Sequence, residues 1–359
     1  MLPRLVRVMQ TRHVAGALLA VSLTAIFGCF HLLSEVARLD DARVRLERVV
    51  IPLQLGKVPA DTDDDVDLIV IYTKVPKTGS TSFASIAYEL CKINSFNVVS
   101  IDITRHGHKL SLSDQMRLIT NITSWTEKKP ALYHGHVAFI DFSSLGLLKK
   151  PIYINMVRDP LDRLVSHYYF LRYGDDFNPA KVRRHAGDNE TFDECVSRNG
   201  EGCDLKHLWL QIPFFCGQSA ECWVPGSRWA LEQAKHNLVH HYLVVGVTEE
   251  LGDFIAVLEA TLPRMFLGAV QLFNSGSMSH RRKTAKKIVP KPETLDRIQQ
   301  SATWRMENEF YVFAVKQFHF VKHQTFSLVD GEYVEKAKSF YLREKIGLND
   351  TGFETCHCG

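Results

Sequence analysis

The stretch VIYTKVPKTGSTSF, residues 70–83, carries the pattern that decides the fold. It begins with apolar and β-branched residues, which are typical of a buried strand, and it ends where apolar side chains start to recur at helical spacing. The turn between the two is basic and rich in hydroxyl groups: Lys77, Thr78, Gly79, Ser80, Thr81 and Ser82. Backbone N–H groups at a helix N-terminus, joined by an ammonium group and hydroxyl groups, bind anions. The stretch therefore predicts a phosphate or sulfate site at a strand-to-helix junction.

An ordinary capped loop is the alternative interpretation of this turn, and for a generic turn rich in serine and threonine it is the better one. Lys77 inside the turn favours the anion site instead. The turn differs from the nucleoside-triphosphate loop G-x-x-x-x-G-K-[ST], because Lys77 precedes Gly79 and the first glycine of that motif is missing. A kinase is therefore disfavoured.

Strand and helix patterns alternate from about residue 67 onward, which predicts an α/β domain with a central, mostly parallel sheet flanked by helices. Residues 151–157 (PIYINMV) are the next clear strand, after which Asp159 is placed to cap a helix that a proline opens. The strand-to-helix step recurs at residues 241–262, and residues 292–321 have a long helical pattern.

A second anion site is predicted where the strand at 151–157 ends. Arg158 follows that strand and Ser166 lies two helical turns further on, so both can face a ligand at the carboxyl edge of the sheet. A surface arginine and an unrelated helix serine are the alternative interpretation. Two such sites on adjacent strands indicate a ligand that carries two separated phosphates.

The N-terminus predicts a membrane anchor. Residues 1–13 are basic and contain no acidic side chain, and residues 14–33 are an apolar run long enough to cross a bilayer. A cleaved signal peptide is the alternative, but the run is long for one and lacks a clear cleavage pattern. With the basic end held in the cytosol, the remainder of the chain is expected to face a lumen or the outside.

The chain between the anchor and the domain is predicted to be a stem. Residues 34–66 combine apolar positions at helical spacing, which could form a short coiled coil, with an acidic, turn-rich linker. The folded domain is expected at residues 67–325 and a tail at 326–359. The net charge of the whole chain of 359 residues is only +3, which excludes a general polycation, so affinity for an acidic partner must come from local clusters of charge. No nucleic-acid partner is expected.

Sequons and cysteine spacing favour the lumenal side. Glycosylation sequons begin at Asn121, Asn189 and Asn349. The close pairs Cys195 with Cys203 and Cys216 with Cys222 suit short disulfide loops in an oxidising compartment. A zinc site is the weaker alternative, because the spacings do not follow the C-x2-C pattern and no histidine lies at a matching interval.

Several blocks of the chain resemble the Golgi heparan sulfate 2-O-sulfotransferases, over roughly residues 67–325. The blocks are VPKTGSTSF, YHGHV, RDPLDRLVS, TFDECV, WLQIPFFCG, GSRWALEQAK, VGVTEEL and WRMENEFY. A related uronyl 2-O-sulfotransferase that acts on dermatan or chondroitin is the near neighbour. The resemblance implies a P-loop-kinase-like sulfotransferase fold, a Golgi membrane protein of single-pass type II orientation, and a homotrimer in which the C-terminal region meets a neighbour.

The resemblance also implies the donor, 3′-phosphoadenosine 5′-phosphosulfate (PAPS), with no metal required. It assigns the turn at 77–82 to the 5′-phosphosulfate, and Arg158 with Ser166 to the 3′-phosphate. It adds three donor contacts in a later basic segment: Ser279, Thr284 and Lys287. Without the resemblance that segment is a basic solvated loop.

The catalytic candidates lie in YHGHV, residues 133–137. Sulfuryl transfer to an alcohol needs a base for the attacking hydroxyl and positive charge on the departing phosphate oxygen. The resemblance assigns the base to His136, a supporting role to His134 and stabilisation of the leaving group to Lys77. Without it, two histidines at this spacing on a strand are more often structural or a coincidental metal pair.

For the acceptor chain, the resemblance implies contacts from Lys74, Tyr88, Arg105, Asp175, Arg183 and Arg282. Three positions depart from the family pattern, since Lys74 and Asn178 stand where arginine is expected and His167 where tyrosine is expected. These departures leave the chemistry intact and bear on the sulfation preference.

Overall fold

A central sheet of five strands organises the protein. The computed structural model describes residues 67–102, 108–146, 150–175, 182–275, 286–329 and 332–335. The sheet strands are β1 (Ile69–Thr73), β2 (Asn97–Ser100), β3 (Ala131–Gly135), β4 (Ile152–Val157) and β5 (Tyr242–Val247). They lie in the order β2-β3-β1-β4-β5, and every pairing is parallel. The predicted α/β fold with a largely parallel sheet is confirmed.

The strand sequences are apolar because both faces of the sheet are covered. Every residue of β1, β3 and β5 is buried, whereas the edge strand β2 is half-buried. Buried parallel strands carry continuous apolar runs rather than alternating ones. The main hydrophobic core consists of side chains from these strands and from the helices packed on them.

The strands are connected and flanked by helices. These are α1 (Ser80–Ile93), α2 (Leu112–Ser124), α3 (Pro160–Tyr173), α4 (Phe192–Ser197), α5 (Gln211–Cys216), α6 (Arg228–His241), α7 (Leu251–Thr261), α8 (Pro263–Phe266), α9 (Ala269–Asn274), α10 (Pro292–Gln299) and α11 (Ala302–Thr325). The longest, α11, packs against β5, α6 and α7. As predicted, Asp159 caps α3, and its side chain accepts from the Asp162 N–H.

The long helical pattern at 292–321 is confirmed and is divided between two helices, α10 and α11. The hydroxyl of Ser301 accepts a hydrogen bond from the Trp304 N–H and so starts α11 as a separate helix. After α11 the chain forms an antiparallel hairpin of β6 (Phe326–Val329) and β7 (Glu332–Glu335), within the predicted tail.

Strand order determines where the predicted sites meet. Because β1 pairs with both β3 and β4, the segments that follow these three strands emerge side by side at the carboxyl edge of the sheet. The chain also changes direction here, since β2 and β3 lie on one side of β1 while β4 and β5 lie on the other. Ligands of open α/β sheets bind at such a switch point.

Among the described residues, disulfides join Cys195 to Cys203 and Cys216 to Cys222, at the spacings that favoured short loops. The first belongs to a smaller hydrophobic cluster that includes side chains of α3, and the second lies at the end of α5. In the described ranges, no group of three or more histidine, cysteine or acidic side chains is arranged to hold a metal ion.

The predicted anchor at 14–33 and the predicted stem at 34–66 lie outside the described residues, as does the sequon at Asn349. No helix among the residues that the structure describes is both long and apolar enough to cross a membrane. Asn121 and Asn189 are both exposed.

Candidate active site

A cleft of about 520 Å³ lies at the carboxyl edge of the sheet. Its lining comes from the segments after β1, β3, β4 and β5, and it includes Lys77, His136, Arg158 and Ser166. The structure therefore brings both predicted anion sites and the predicted base into one cavity.

The segment after β1 is shaped by its backbone. Gly79 precedes α1 with φ of 77°, in the left-handed region, and a Cβ there would lie 3.3 Å from the Thr248 Cγ2. Lys77 also has a positive φ, 70°. Helix α1 begins without a side-chain cap and has no acidic residue in its first turn. Its N-terminus, which carries a partial positive charge, is therefore suited to an anion.

Lys77 connects the two predicted anion sites. Its ammonium nitrogen lies 4.2 Å from the centroid of the Phe170 ring on α3, a cation–π distance. Its carbonyl oxygen accepts a hydrogen bond of 3.3 Å from Nη1 of Arg158. The guanidinium of Arg158 is thus fixed directly beside the turn that carries Lys77.

In the segment after β4, side chains rather than the backbone supply the polar groups of the predicted anion site. Arg158 Nη2 lies 3.6 Å from an oxygen of Asp162, and the other oxygen of that carboxylate is 3.1 Å from Lys287 Nζ. Burial would raise the pKa of Asp162, but Lys287 and Arg158 together hold that pKa below its usual value. Nε of Arg158 is buried and has no hydrogen-bond partner among the described residues. Ser166 lines the cleft and is buried.

His136 follows β3 and is exposed at the cleft. Its Nδ1 lies 2.8 Å from the carbonyl oxygen of Lys74. A carbonyl oxygen only accepts, so Nδ1 must carry the proton in this bond, and the neutral ring then has its lone pair on Nε2. His108 contacts the same residue through its Nδ1, 2.9 Å from the His136 carbonyl oxygen. The arrangement orients an imidazole whose Nε2 can accept a proton.

His134, two residues earlier, has a different environment. It is buried in β3, its Nε2 lies 2.9 Å from the Tyr88 hydroxyl, and it is not among the described residues that line the cleft. Burial, with the charges of Lys74 and His136, lowers its pKa to about 3, so the ring is neutral near pH 7. His134 therefore contacts Tyr88, one of the residues predicted to bind the acceptor chain.

Of the other residues predicted to bind the sulfuryl donor, some line the cleft and others do not. Ser80, Thr81 and Ser82 line the cleft. The Thr78 hydroxyl instead donates to the Val75 carbonyl at 2.9 Å inside the turn, and Thr78 is fully buried. Lys287 pairs with Asp162 as described, while Ser279 and Thr284 lie outside the described residues.

The predicted acceptor residues are only partly described. Arg183 lies 3.3 Å from an oxygen of Asp175, and its guanidinium is 4.6 Å from the Phe170 ring. Arg105 and Arg282 lie outside the described residues, as does the divergent position Asn178. The divergent His167 lines the cleft, and burial together with neighbouring positive charges lowers its pKa to about 3.

The structure adds cleft residues that the sequence interpretation did not single out. Thr248, Glu249, Leu251 and Gly252 follow β5, and Phe273 packs beside them. The first four could have been predicted from the sequence, because they follow the predicted strand β5 and the carboxyl ends of parallel strands lie at the same edge of the sheet. Phe170, which also lines the cleft, had no such signal in the sequence. Neither did Gln211, which is buried outside the cleft lining and contacts the Arg158 backbone.

Comparison with known proteins identifies the family. A family model described as "Sulfotransferase family" matches residues 61–314. The chain is 49% identical to heparan sulfate 2-O-sulfotransferase 1 of Homo sapiens over 340 residues, which cover 92% of this chain and 95% of the human protein. The chain belongs to the sulfotransferase family. It is also 50% identical to heparan sulfate 2-O-sulfotransferase 1 of Xenopus laevis, over 92% of this chain and 95% of that protein. A heparin sulfate O-sulfotransferase of Drosophila melanogaster is 48% identical, over 92% and 94% respectively.

Membership of the sulfotransferase family implies PAPS as the sulfuryl donor, and the cleft residues fit a ligand of this kind. The uncapped α1 N-terminus and Lys77 suit one anionic group, and Arg158, with its buried Nε, suits another. Leu251 and Phe273 supply apolar surface in the same cavity. The residues that line this sulfotransferase cleft therefore suit a ligand that carries two separated negative charges and an aromatic base.

Proposed function

We propose that this sulfotransferase transfers a sulfuryl group from PAPS to the 2-hydroxyl of a uronic acid, preferably iduronate, in heparan sulfate. The observation that carries the proposal is the single cleft in which Lys77, Arg158 and an oriented His136 meet. The names of the relatives support heparan sulfate as the acceptor, since similarity to them extends over 92% of the chain.

Donor binding is assigned to both anion sites. The turn at 77–82 and the α1 N-terminus hold the 5′ end, while Arg158 and Ser166 hold the 3′-phosphate. Lys287, Ser279 and Thr284 are proposed to complete this site. The bound donor supplies a sulfuryl group attached to a phosphate that can depart.

His136 is proposed as the general base. Its Nδ1–H is held by the Lys74 carbonyl, so Nε2 is the atom that accepts the proton of the acceptor hydroxyl. Lys77 stabilises the negative charge that develops on the departing oxygen, as positioned cations do in buried sites. His134 is assigned a supporting role through Tyr88, because burial and neighbouring charges keep its ring neutral.

The acceptor chain is proposed to contact Lys74, Tyr88, Arg105, Asp175, Arg183 and Arg282. Of these, Asp175 and Arg183 already pair beside Phe170, which also contacts Lys77. The donor turn and the proposed acceptor surface thus share one aromatic ring. Lys74, in place of an arginine, offers a point charge to a carboxylate or sulfate.

We further propose that the protein is a single-pass type II membrane protein of the Golgi, with its catalytic domain in the lumen and a homotrimeric assembly. The anchor pattern at 14–33 and the two disulfides support the lumenal assignment. The sequence resemblance supports the trimer.

The reaction is tested by incubating the purified protein with labelled PAPS and a panel of desulfated heparin, heparan sulfate and dermatan chains. Disaccharide analysis is expected to find the label on the 2-hydroxyl of iduronate in the heparan-type chains. Label mainly in dermatan would replace this substrate with that of the neighbouring uronyl 2-O-sulfotransferase. Retained heparin binding without any transfer would indicate a glycan-binding module, and phosphate transfer from ATP that EDTA stops would indicate a kinase.

A further inference from the structure

The side chain of Gln211 forms two hydrogen bonds with the backbone of Arg158. Its Oε1 accepts from the Arg158 N–H at 2.9 Å, and its Nε2 donates to the Arg158 carbonyl, also at 2.9 Å. Gln211 is fully buried. One primary amide therefore satisfies both backbone groups of the arginine that the donor cleft uses.

The position of Arg158 explains why such an amide is needed. The pairing of β4 with β5 ends at Val157 opposite Val247, so the backbone of the next residue has left the ladder. Buried backbone groups that lack partners are costly. Gln211 replaces the missing strand neighbour, and by doing so it fixes the main-chain orientation from which the arginine side chain extends.

Gln211 is itself held in place by the buried side chain of Glu307. Oε1 of Glu307 on α11 accepts hydrogen bonds from the N–H groups of Leu210, at 2.8 Å, and Ile212, at 3.1 Å. These residues flank Gln211 at the start of α5, and Glu307 is fully buried. The amide thus projects from a backbone that is fixed on both sides.

We propose that Gln211 is a positioning residue for the donor, acting through Arg158. The inference rests on the proposed function of the cleft, in which Arg158 holds the 3′-phosphate. The guanidinium contacts the Lys77 carbonyl at 3.3 Å and Asp162 at 3.6 Å, so a shift of the Arg158 backbone displaces it from both contacts. Gln211 does not line the cleft. Its loss is expected to weaken donor binding and to leave the transfer step nearly unchanged.

The first test is Gln211→Met, which keeps the length of the side chain and removes both hydrogen bonds. Binding of adenosine 3′,5′-bisphosphate, measured by titration calorimetry on the full-length protein, is expected to weaken about tenfold. The KM for PAPS is expected to rise by the same factor, and kcat to change by less than about twofold.

Asn237→Leu is the matched control. Asn237 is also a buried amide, and its Nδ2 donates to the carbonyls of Phe215 and Cys216 at the other end of α5, at 2.8 and 3.0 Å. Its loss is expected to lower the melting temperature as much as Gln211→Met does, with the affinity for the bisphosphate unchanged. Equal loss of affinity in both variants would reduce Gln211 to a structural role and overturn the proposal.

Gln211→Glu decides the matter if the methionine variant does not fold. A buried carboxylic acid stays protonated at low pH and can both accept from and donate to the Arg158 backbone, whereas the carboxylate cannot donate. Burial also raises the pKa of Glu307, beside this amide, to about 7, so each measurement is compared with the wild type at the same pH. Relative binding is expected to be near normal at pH 5.5 and weaker at pH 8. A ratio that does not change with pH would contradict the proposal. A wild-type protein that fails to bind the bisphosphate would instead overturn the proposed function itself.

Discussion

The two predicted anion sites of the cleft differ in what supplies their positive charge. After β1, Gly79 precedes helix α1, which has no side-chain cap and no acidic residue in its first turn. After β4, helix α3 is capped by the Asp159 carboxylate and has Asp162 in its first turn. The partial charge of the α1 N-terminus is thus directed to the cleft, whereas that of α3 is already neutralised by its own side chains.

This difference indicates separate tasks for the two sites. The α1 site presents backbone N–H groups and Lys77 from a tightly specified backbone, which suits charge that develops during the reaction. The α3 site presents Arg158 and Ser166, which suit a permanent charge. We therefore expect changes in the α1 site to affect the rate of transfer, and changes in the α3 site to affect donor affinity.

Of the substitutions in the two sites, Lys77→Met is expected to have the largest effect on the rate of transfer. It removes the ammonium group and keeps the length of the side chain beside Phe170. The rate of transfer should fall about 10²–10³-fold, as on removal of one positioned charge-stabilising donor. Single-turnover transfer of labelled sulfate measures this rate, and Lys77→Arg is the control that retains a charge. A change in donor affinity without a change in rate would abolish the distinction between the sites.

Arg158→Ala is expected to weaken donor binding about tenfold or more, because a charge-assisted contact to phosphate is lost. The rate at saturating donor should change by less than about threefold. Titration calorimetry with adenosine 3′,5′-bisphosphate and steady-state kinetics separate the two quantities. A large fall in kcat with unchanged affinity would place Arg158 in the chemical step instead.

Gly79→Ala tests whether the backbone of the α1 site matters in itself. A left-handed conformation costs an alanine about 1–2 kcal/mol, and the new Cβ would approach Thr248. Gly146→Ala is the matched control, since Gly146 has a φ of 84° with nothing within 4 Å of the added Cβ. Both variants should unfold at lower temperature, but only Gly79→Ala should also slow single-turnover transfer of labelled sulfate, by a few fold. Equal rates of transfer in the two would show that the turn tolerates the change.

Of these variants, His134→Gln is expected to have the smallest effect near pH 7. It is also expected to change how the stability of the fold declines at acidic pH. The folded-state pKa of His134, about 3, lies below its ordinary value of 6.5. The unfolded chain therefore binds the proton more readily, and the stability from the neutral ring is full above pH 6.5 and declines as the pH falls toward 3. The variant should lose about 1 kcal/mol at pH 7, for the Tyr88 contact, and decline less steeply in acid. Urea unfolding at several pH values measures both, and equal slopes in the two proteins would contradict the burial of this ring.

The sequence predicted the sheet and the convergence of Lys77 and Arg158, because parallel strands end at one edge and the turn residues are local to those ends. The place of His136 beside them was implied by the family resemblance. The sequence could not predict Gln211, whose contact with Arg158 crosses 53 positions of the chain and depends on how α5 packs. Nor could the spacing of the two histidines distinguish them. His134 lies in the strand and is buried, while His136 is the first residue beyond it and faces the cleft.

The central claim is that His136 acts as the base while the two anion sites hold the donor, and His136→Ala tests it most directly. Transfer of labelled sulfate to a desulfated heparan chain should fall by about 10²–10⁴-fold, the range for loss of a general base, while adenosine 3′,5′-bisphosphate binds as tightly as to the wild type. His236→Ala, which removes an exposed histidine on α6, should leave both unchanged. Full transfer activity in His136→Ala would contradict the account.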